Sequence, residues 1–167
     1  MAMNLMGMVK VLAAIICIFF GGCATGVKFP DDQFCILLEE NSSEPRGHWS
    51  VNVVMPESKV AIRACARPVL CDADFEYAQA LNTAMGVGIV IKIKHSAAIE
   101  LFKLSIRCDD QKLLLLRNGT PIGMSQGISG ALQDDLLLIF LENEFGVNEV
   151  VDRMNSAIKC YAKMKRE

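Results

Sequence analysis

The eight residues from Val87 to Lys94, VGIVIKIK, constrain the fold of this chain more than any other stretch. Ile89, Ile91 and Ile93 recur at every second position, with Lys92 and Lys94 between them. A period of two puts the isoleucines on one face of a strand and the lysines on the other, the pattern of an antiparallel sheet with one dry and one wet face. The period then changes. Ser96 is placed to cap a helix that runs to about Cys108. On it Ala98, Leu101, Phe102, Ser105 and Ile106 form one broad apolar stripe, and Glu100, Lys103 and Arg107 share the opposite side.

The remaining elements fit that start. Phe34 to Glu39 (FCILLE) reads as a strand, and Asn41 to Gly47 (NSSEPRG) as a loop. Trp49 to Met55 and Val60 to Ala66 both alternate with period two. Lys112 to Arg117 (KLLLLR) is a continuous apolar run, suited to a central strand. Asn118-Gly119 follows it, a hairpin signal because both residues tolerate positive φ. Thr120 to Met124 is the returning strand, and Ser125 to Gly130 (SQGISG) a flexible loop. Asp134 and Asp135 open a further strand, Leu136 to Glu142. Val147, Val150, Val151, Met154, Ile158 and Tyr161 recur at helical spacing, with Glu149 early and Lys163, Lys165 and Arg166 late, as the helix dipole favours. Both helices carry one apolar stripe, so both can cover a single sheet face. The expected fold is α+β: one mostly antiparallel sheet with two helices packed on one face.

Upstream, Val11 to Phe20 (VLAAIICIFF) is apolar and follows Lys10. A membrane-spanning helix needs about 20 apolar residues, whereas ten with a basic flank and a small-residue exit fit a secretory leader. Gly21, Gly22 and Cys23 resemble the bacterial lipobox, whose cysteine is acylated and becomes the mature N-terminus. Phe20 departs from the motif, which usually has an aliphatic residue there. The alternative is an ordinary leader cut elsewhere. Each buried methylene of an acyl chain contributes about 0.8 kcal/mol, and several chains on one cysteine, palmitate among them, hold far better than one. Ala24 follows the cysteine, and the lack of Asp there points to the outer membrane. The chain thus divides into a leader (1–22), the lipidated Cys23 with a short tether (23–33), and one α+β domain (34–167).

Five cysteines remain beyond Cys17 and Cys23: Cys35, Cys65, Cys71, Cys108 and Cys160. An odd number cannot all pair within one chain. Cys108 and Cys160 fall near the ends of the two helices and can meet across a shared sheet face, which makes them the candidate disulfide. The others read as small buried residues. No C-x-x-C supports a thioredoxin-like site.

Few residues suggest chemistry. His48 and His95 lie far apart and give no metal-ligand spacing. Asp72, Asp74 and Glu76 imitate a calcium loop, but Tyr77 and Thr83 stand where it needs Gly and Glu; these acids read as a solvated turn. No G-x-S-x-G elbow occurs. GMSQGISG, Gly123 to Gly130, lacks the Lys and spacing of a phosphate loop. Net charge is −2 with no basic block, which argues against nucleic acid.

Three segments resemble the SecD/SecDF protein-export factors. ARPVLCDADFEYA, Ala66 to Ala78, is similar to the opening segment of their first periplasmic region. IKIKHSAAIELFKLS, Ile91 to Ser105, resembles the family's strand and following helix. KLLLLRNGTPIGMSQGISGAL, Lys112 to Leu132, resembles its next hairpin. The resemblance spans about 65–162 and implies the head subdomain, a fold implicated in handling exported polypeptide. The family's proton-coupling membrane helices have no counterpart in this sequence, so its motor role is not carried over.

Together these readings give a lipid-anchored envelope protein facing the periplasm. It is expected to be non-enzymatic, without cofactor or metal, and to bind a protein partner. An exposed edge strand or the segment with Gly123, Ser125, Gln126 and Gly127 would make the contact. The alternative is a small envelope hydrolase or thiol enzyme whose site forms only in space.

Overall fold

The computed structural model describes residues 30–40, 50–108, 110–143 and 146–165. The leader, Cys17, Cys23, His48 and Trp49 lie outside the described residues. In chain order the strands and helices are β1 (Phe34–Leu38), β2 (Ser50–Val54), β3 (Ala61–Cys65), β4 (Leu70–Cys71), β5 (Phe75–Thr83), β6 (Gly86–Ile93), α1 (His95–Ser105), β7 (Leu113–Arg117), β8 (Thr120–Met124), α2 (Ile128–Ala131), β9 (Leu132–Gln133), β10 (Leu136–Leu141) and α3 (Val147–Met164). A 3-10 turn, Asp72–Asp74, links β4 to β5.

The main sheet runs β4-β1-β7-β8-β10-β6-β5, with β9 also on β10, and the pairings are antiparallel. The expected α+β architecture is therefore the one observed. Strand β7 is fully enclosed. Leu113 and Leu115 join a core with Ile36, Ile89, Ile91, Ile93 and Ile139, closed by Ala98 and Leu101 of α1 and by Met154, Ala157 and Ile158 of α3. Leu114 and Leu116 face the other way, into a second core with Leu37, Val53, Met55, Ile62 and Ala64. That second core is roofed by the β2–β3 hairpin, a separate two-stranded sheet. Glu142, just after β10, fixes the hairpin tip by accepting the backbone N–H groups of Glu57 (3.0 Å) and Ser58 (2.6 Å). The result is three layers: helices, sheet, hairpin.

Turns follow the sequence where special φ is required. Asn118 and Gly119 both have positive φ (51° and 80°), as a two-residue hairpin demands. Asp134 and Asp135 do the same between β9 and β10 (51° and 63°).

Several expectations change. Helix α1 begins at His95, with Lys94 rather than Ser96 as its N-cap, because the Lys94 carbonyl already accepts the Ala98 N–H at 2.9 Å. Its apolar stripe does not all reach the core. Ala98, Leu101 and Ser105 are buried, but Phe102 and Ile106 are 60% and 71% exposed. The helix rests one narrow side on the sheet, and the broad stripe overhangs it. The expected flexible loop at Ser125–Gly130 instead contains α2, because Ile128 is fully buried. Strand β5 is new. A bulge between Phe75 and Tyr77 breaks the period of two that would have marked it. Asp72 is no part of a solvated turn, being 4% exposed.

Gly123 in β8 sits opposite β10, where an added Cβ would meet the Phe140 carbonyl oxygen at 2.5 Å. Gly123→Ala should therefore destabilise the domain by about 1–3 kcal/mol. Urea unfolding measures this, and an unchanged midpoint would contradict the close approach.

Candidate functional site

Two features of the described surface stand out as places to receive another molecule. The first is a cavity of about 720 Å³ where the 3-10 turn, the start of β5 and the last turns of α3 meet. Asp72, Phe75, Lys94, Tyr161, Met164 and Lys165 line it. Asp72 Oδ2 accepts the Phe34 N–H at 2.9 Å, standing in for a strand carbonyl at the end of β1. Its Oδ1 has no hydrogen-bond partner among the described residues. Burial pushes this carboxyl up to about 6, against the opposing pull of the Phe34 N–H. The Tyr161 hydroxyl is also raised, by burial first and then by Asp72, Cys71 and Cys160. The Lys94 ammonium donates to the Ala73 carbonyl, and the Lys94 N–H to the Asp74 carbonyl at 2.8 Å, which ties the turn to α1.

The second is the outer side of α1. Ile99, Phe102 and Ile106 are 42%, 60% and 71% exposed and lie at i, i+3 and i+7, so they form a single apolar row. Two of the nearby charges are paired: Glu100 accepts from Lys103 at 2.6 Å.

The long edge strand β5 is less open than an edge strand usually is. Asn155 of α3 accepts the Ala78 N–H at 2.8 Å and donates to the Ala78 carbonyl at 2.9 Å. One side-chain amide therefore occupies both groups that an added strand would use there.

The sequence-selected binding residues separate. Gly123 lies within the sheet, packed against β10. Ser125 is 2% exposed; its hydroxyl accepts the Leu113 N–H and its own N–H reaches the Leu113 carbonyl, both at 2.9 Å. Gly127 is half-buried and caps α2, its carbonyl accepting the Ala131 N–H at 3.1 Å. Gln126 is exposed, with its side-chain amide 3.2 Å from the Met85 sulfur. Gly123 and Ser125 thus hold the sheet together, and Gln126 is the most open of the four.

Cys108 is a free thiol, as Cys35 and Cys71 are, and the fold keeps it away from its candidate partner Cys160. Topology explains this. Cys108 lies in the turn leading to Leu113, which pairs with Leu38 at one end of β1. Tyr161, next to Cys160, lines the cavity with Asp72, which bonds Phe34 at the other end. Cys71 is exposed, yet burial of its sulfur and the Asp74 and Asp72 carboxylates raise its thiol, the reverse of what a nucleophilic cysteine needs. His95 is engaged elsewhere, with Nδ1 3.3 Å from both carboxylate oxygens of Asp135, which also accepts from Lys92 at 3.3 Å. Lys92 is therefore a staple to the β9–β10 turn and not simply a lysine on a wet face. No group of three or more His, Cys, Asp or Glu suited to a metal occurs among the described residues. Nor is any described helix long and apolar enough to cross a membrane.

The fold is similar to that of part of SecDF. SecDF in its super-membrane-facing form superposes with a TM-score of 0.52 at 12% identity, over 82% of this chain and 20% of the SecDF chain. A second SecDF structure, of a membrane component that enhances protein export, aligns at 12% identity over 82% of this chain and 66% of its own, with a TM-score of 0.47. The present chain thus spans about a fifth of the first SecDF chain. The sequence matches no protein-family model and no curated protein.

Two structural residues escaped the sequence. Asp32, expected in the tether, is 8% exposed and accepts from Arg117 through two bonds of 3.0 Å and from Asn118 at 2.8 Å. Its carboxyl is held low, chiefly by the Arg117 hydrogen bonds. Asn155 lies on a helix whose apolar spacing says nothing about a strand edge. No local pattern marks either residue, because each partner is distant in sequence.

Asp72 makes stability depend on pH. Its folded value of about 6 lies above the ordinary 3.8, so between these pH values the folded state keeps a proton that the unfolded chain has released. Its contribution is complete below about pH 3.8 and is lost as pH rises through 6. Asp72→Asn should flatten that part of the stability profile and stabilise the protein at pH 7.5 by on the order of 1 kcal/mol. Urea unfolding across pH 4–8 tests this, and parallel profiles for the two proteins would exclude it.

Proposed function

We propose that this chain is a lipid-anchored protein of the bacterial cell envelope whose domain binds a protein partner without catalysing a reaction. Residues 1–22 act as the leader, residues 23–33 carry the lipid on Cys23 and the tether, whose last residues Asp32 and Gln33 bond to the end of β7, and residues 34–167 form the domain. Within it, residues 65–162 correspond to the head subdomain of the first periplasmic region of SecDF. The domain faces the periplasm, with the outer membrane as the anchoring surface.

The observation that carries partner binding is the row Ile99, Phe102 and Ile106 on α1. Large apolar side chains aligned on one exposed helix side are characteristic of an interaction surface. The SecDF fold supports the same reading through the polypeptide-handling role that the family resemblance implies. Gln126 and Gly127 offer an accessory contact. The capping of Ala78 by Asn155 argues against strand addition at that point of β5. The raised Cys71 thiol disfavours the thiol-enzyme alternative.

Two measurements test the proposal. Cys23→Ser should release the protein from membranes and abolish labelling by a fatty-acid analogue; unchanged fractionation would refute the anchor. A photo-crosslinker at Phe102 should capture one defined envelope protein in intact cells, whereas the same probe at exposed Lys159 should not. Ile99→Asp with Ile106→Asp should abolish that capture without changing the melting temperature. Equal capture at both positions, or capture unaffected by the aspartates, would overturn the α1 surface.

A further inference from the structure

Strand β4 has two residues and pairs with β1 only through Cys35↔Cys71 and Ile36↔Leu70. One of its two rungs is therefore a pair of cysteines directly across from each other. The hydrogen-bond pattern fixes the kind of pair. On the β7 side, the Gln33 carbonyl accepts the Asn118 N–H and the Glu39 N–H reaches the Lys112 carbonyl, both at 2.8 Å. Odd-numbered residues from 33 to 39 therefore direct their backbone groups to β7. On the β4 side the even-numbered ones are used: Phe34 N–H donates to Asp72, and the Ile36 carbonyl accepts the Val69 N–H at 2.8 Å. Cys35↔Cys71 is thus a non-hydrogen-bonded pair, the closer type, with Cα atoms about 4.5 Å apart and side chains on the same face. Disulfides span Cα separations of about 4.4–6.8 Å. Cys71 is exposed and Cys35 half-buried, so a reagent in solution can reach the pair.

We infer that Cys35 and Cys71 form a cross-strand disulfide that locks β4, and with it the Asp72–Asp74 turn, to the sheet. The oxidant is a disulfide of low molecular weight or of a thiol oxidase. The Cys71 thiolate attacks one sulfur of that disulfide and expels a first thiolate, leaving a mixed disulfide on Cys71. The Cys35 thiolate then attacks the Cys71 sulfur and expels the second. Two protein thiols lose two electrons and two protons; one disulfide is reduced to two thiols. Both protein thiols are raised, Cys35 by burial, Cys71 and Asp72, and Cys71 by burial, Asp74 and Asp72. Uncatalysed exchange is accordingly slow at neutral pH and accelerates as pH rises.

The test is incubation of the purified full-length protein with oxidised glutathione at pH 7 and pH 9, followed by chymotryptic peptide mapping without reduction. Cleavage after Leu70 separates Cys71 from Cys65. The expected product has lost about 2 Da and yields one linked pair, Cys35 with Cys71, formed faster at pH 9. Cys35→Ser should stop at a glutathione adduct on Cys71. The oxidised protein should melt on the order of 5–10 °C above the reduced one. Separate adducts on both wild-type cysteines, a Cys71–Cys160 link, or an oxidised form that melts below the reduced one would each overturn the assignment. Persistence of the bond in cells rests on the envelope placement proposed above, but its formation in the purified protein does not. A bond that forms in vitro and is absent from cells would count against that placement and not against the pairing.

Discussion

Four consecutive leucines, Leu113 to Leu116, impose the demand that the rest of the domain meets. In a strand, neighbouring side chains point to opposite faces. A run without a polar break therefore has no face that water can wet. Each fully buried leucine contributes roughly 1.5–3 kcal/mol, so leaving either face open would forfeit much of the net stability of a domain this size. The helices cover Leu113 and Leu115, and the β2–β3 hairpin covers Leu114 and Leu116. Glu142 and Asp32 then act as latches at the margins. Glu142 holds the hairpin tip through two backbone N–H groups, and Asp32 ties the segment just before β1 to Arg117 and Asn118 at the end of β7.

The sheet's two edges are managed differently. Strand β5 is long enough to recruit a foreign strand, but Asn155 occupies both backbone groups of Ala78. Strand β4 is too short to be a template, and for the same reason it is weakly held. Its rungs are reinforced by groups outside the ladder: Asp72 bonds the Phe34 N–H in place of a carbonyl, and Cys71 N–H donates to Asp74 at 3.0 Å. A covalent bond at the Cys35–Cys71 rung would complete this reinforcement where backbone bonding is thinnest.

Helix α1 is less committed than its amphipathic stripe suggests. Ala98, Leu101 and Ser105 are buried and Ala97 and Leu104 pack partly against the core, whereas the outer row of Ile99, Phe102 and Ile106 contributes nothing to the described core. A sheet needs only one helix side to cover it. Apolar residues beyond that side stay in water unless another molecule takes them, which is why this row, and not a glycine-rich loop, is the proposed contact surface.

The sequence by itself determined the period of β2, β3 and β6, the two amphipathic helices, the Asn118-Gly119 turn and hence the α+β class, because these depend on residues adjacent or a few positions apart. It also placed Leu113–Leu116 at the centre. Tertiary structure decided which neighbours those elements acquired. It turned β2 and β3 into a roof rather than members of the main sheet, and it revealed β5, whose bulge hides its alternation. It committed Gly123 and Ser125 to the sheet, and it set Cys35 opposite Cys71 while keeping Cys108 at the other end of β1. Register and strand order arise from contacts between residues dozens of positions apart, and no local pattern in a single chain encodes those distances.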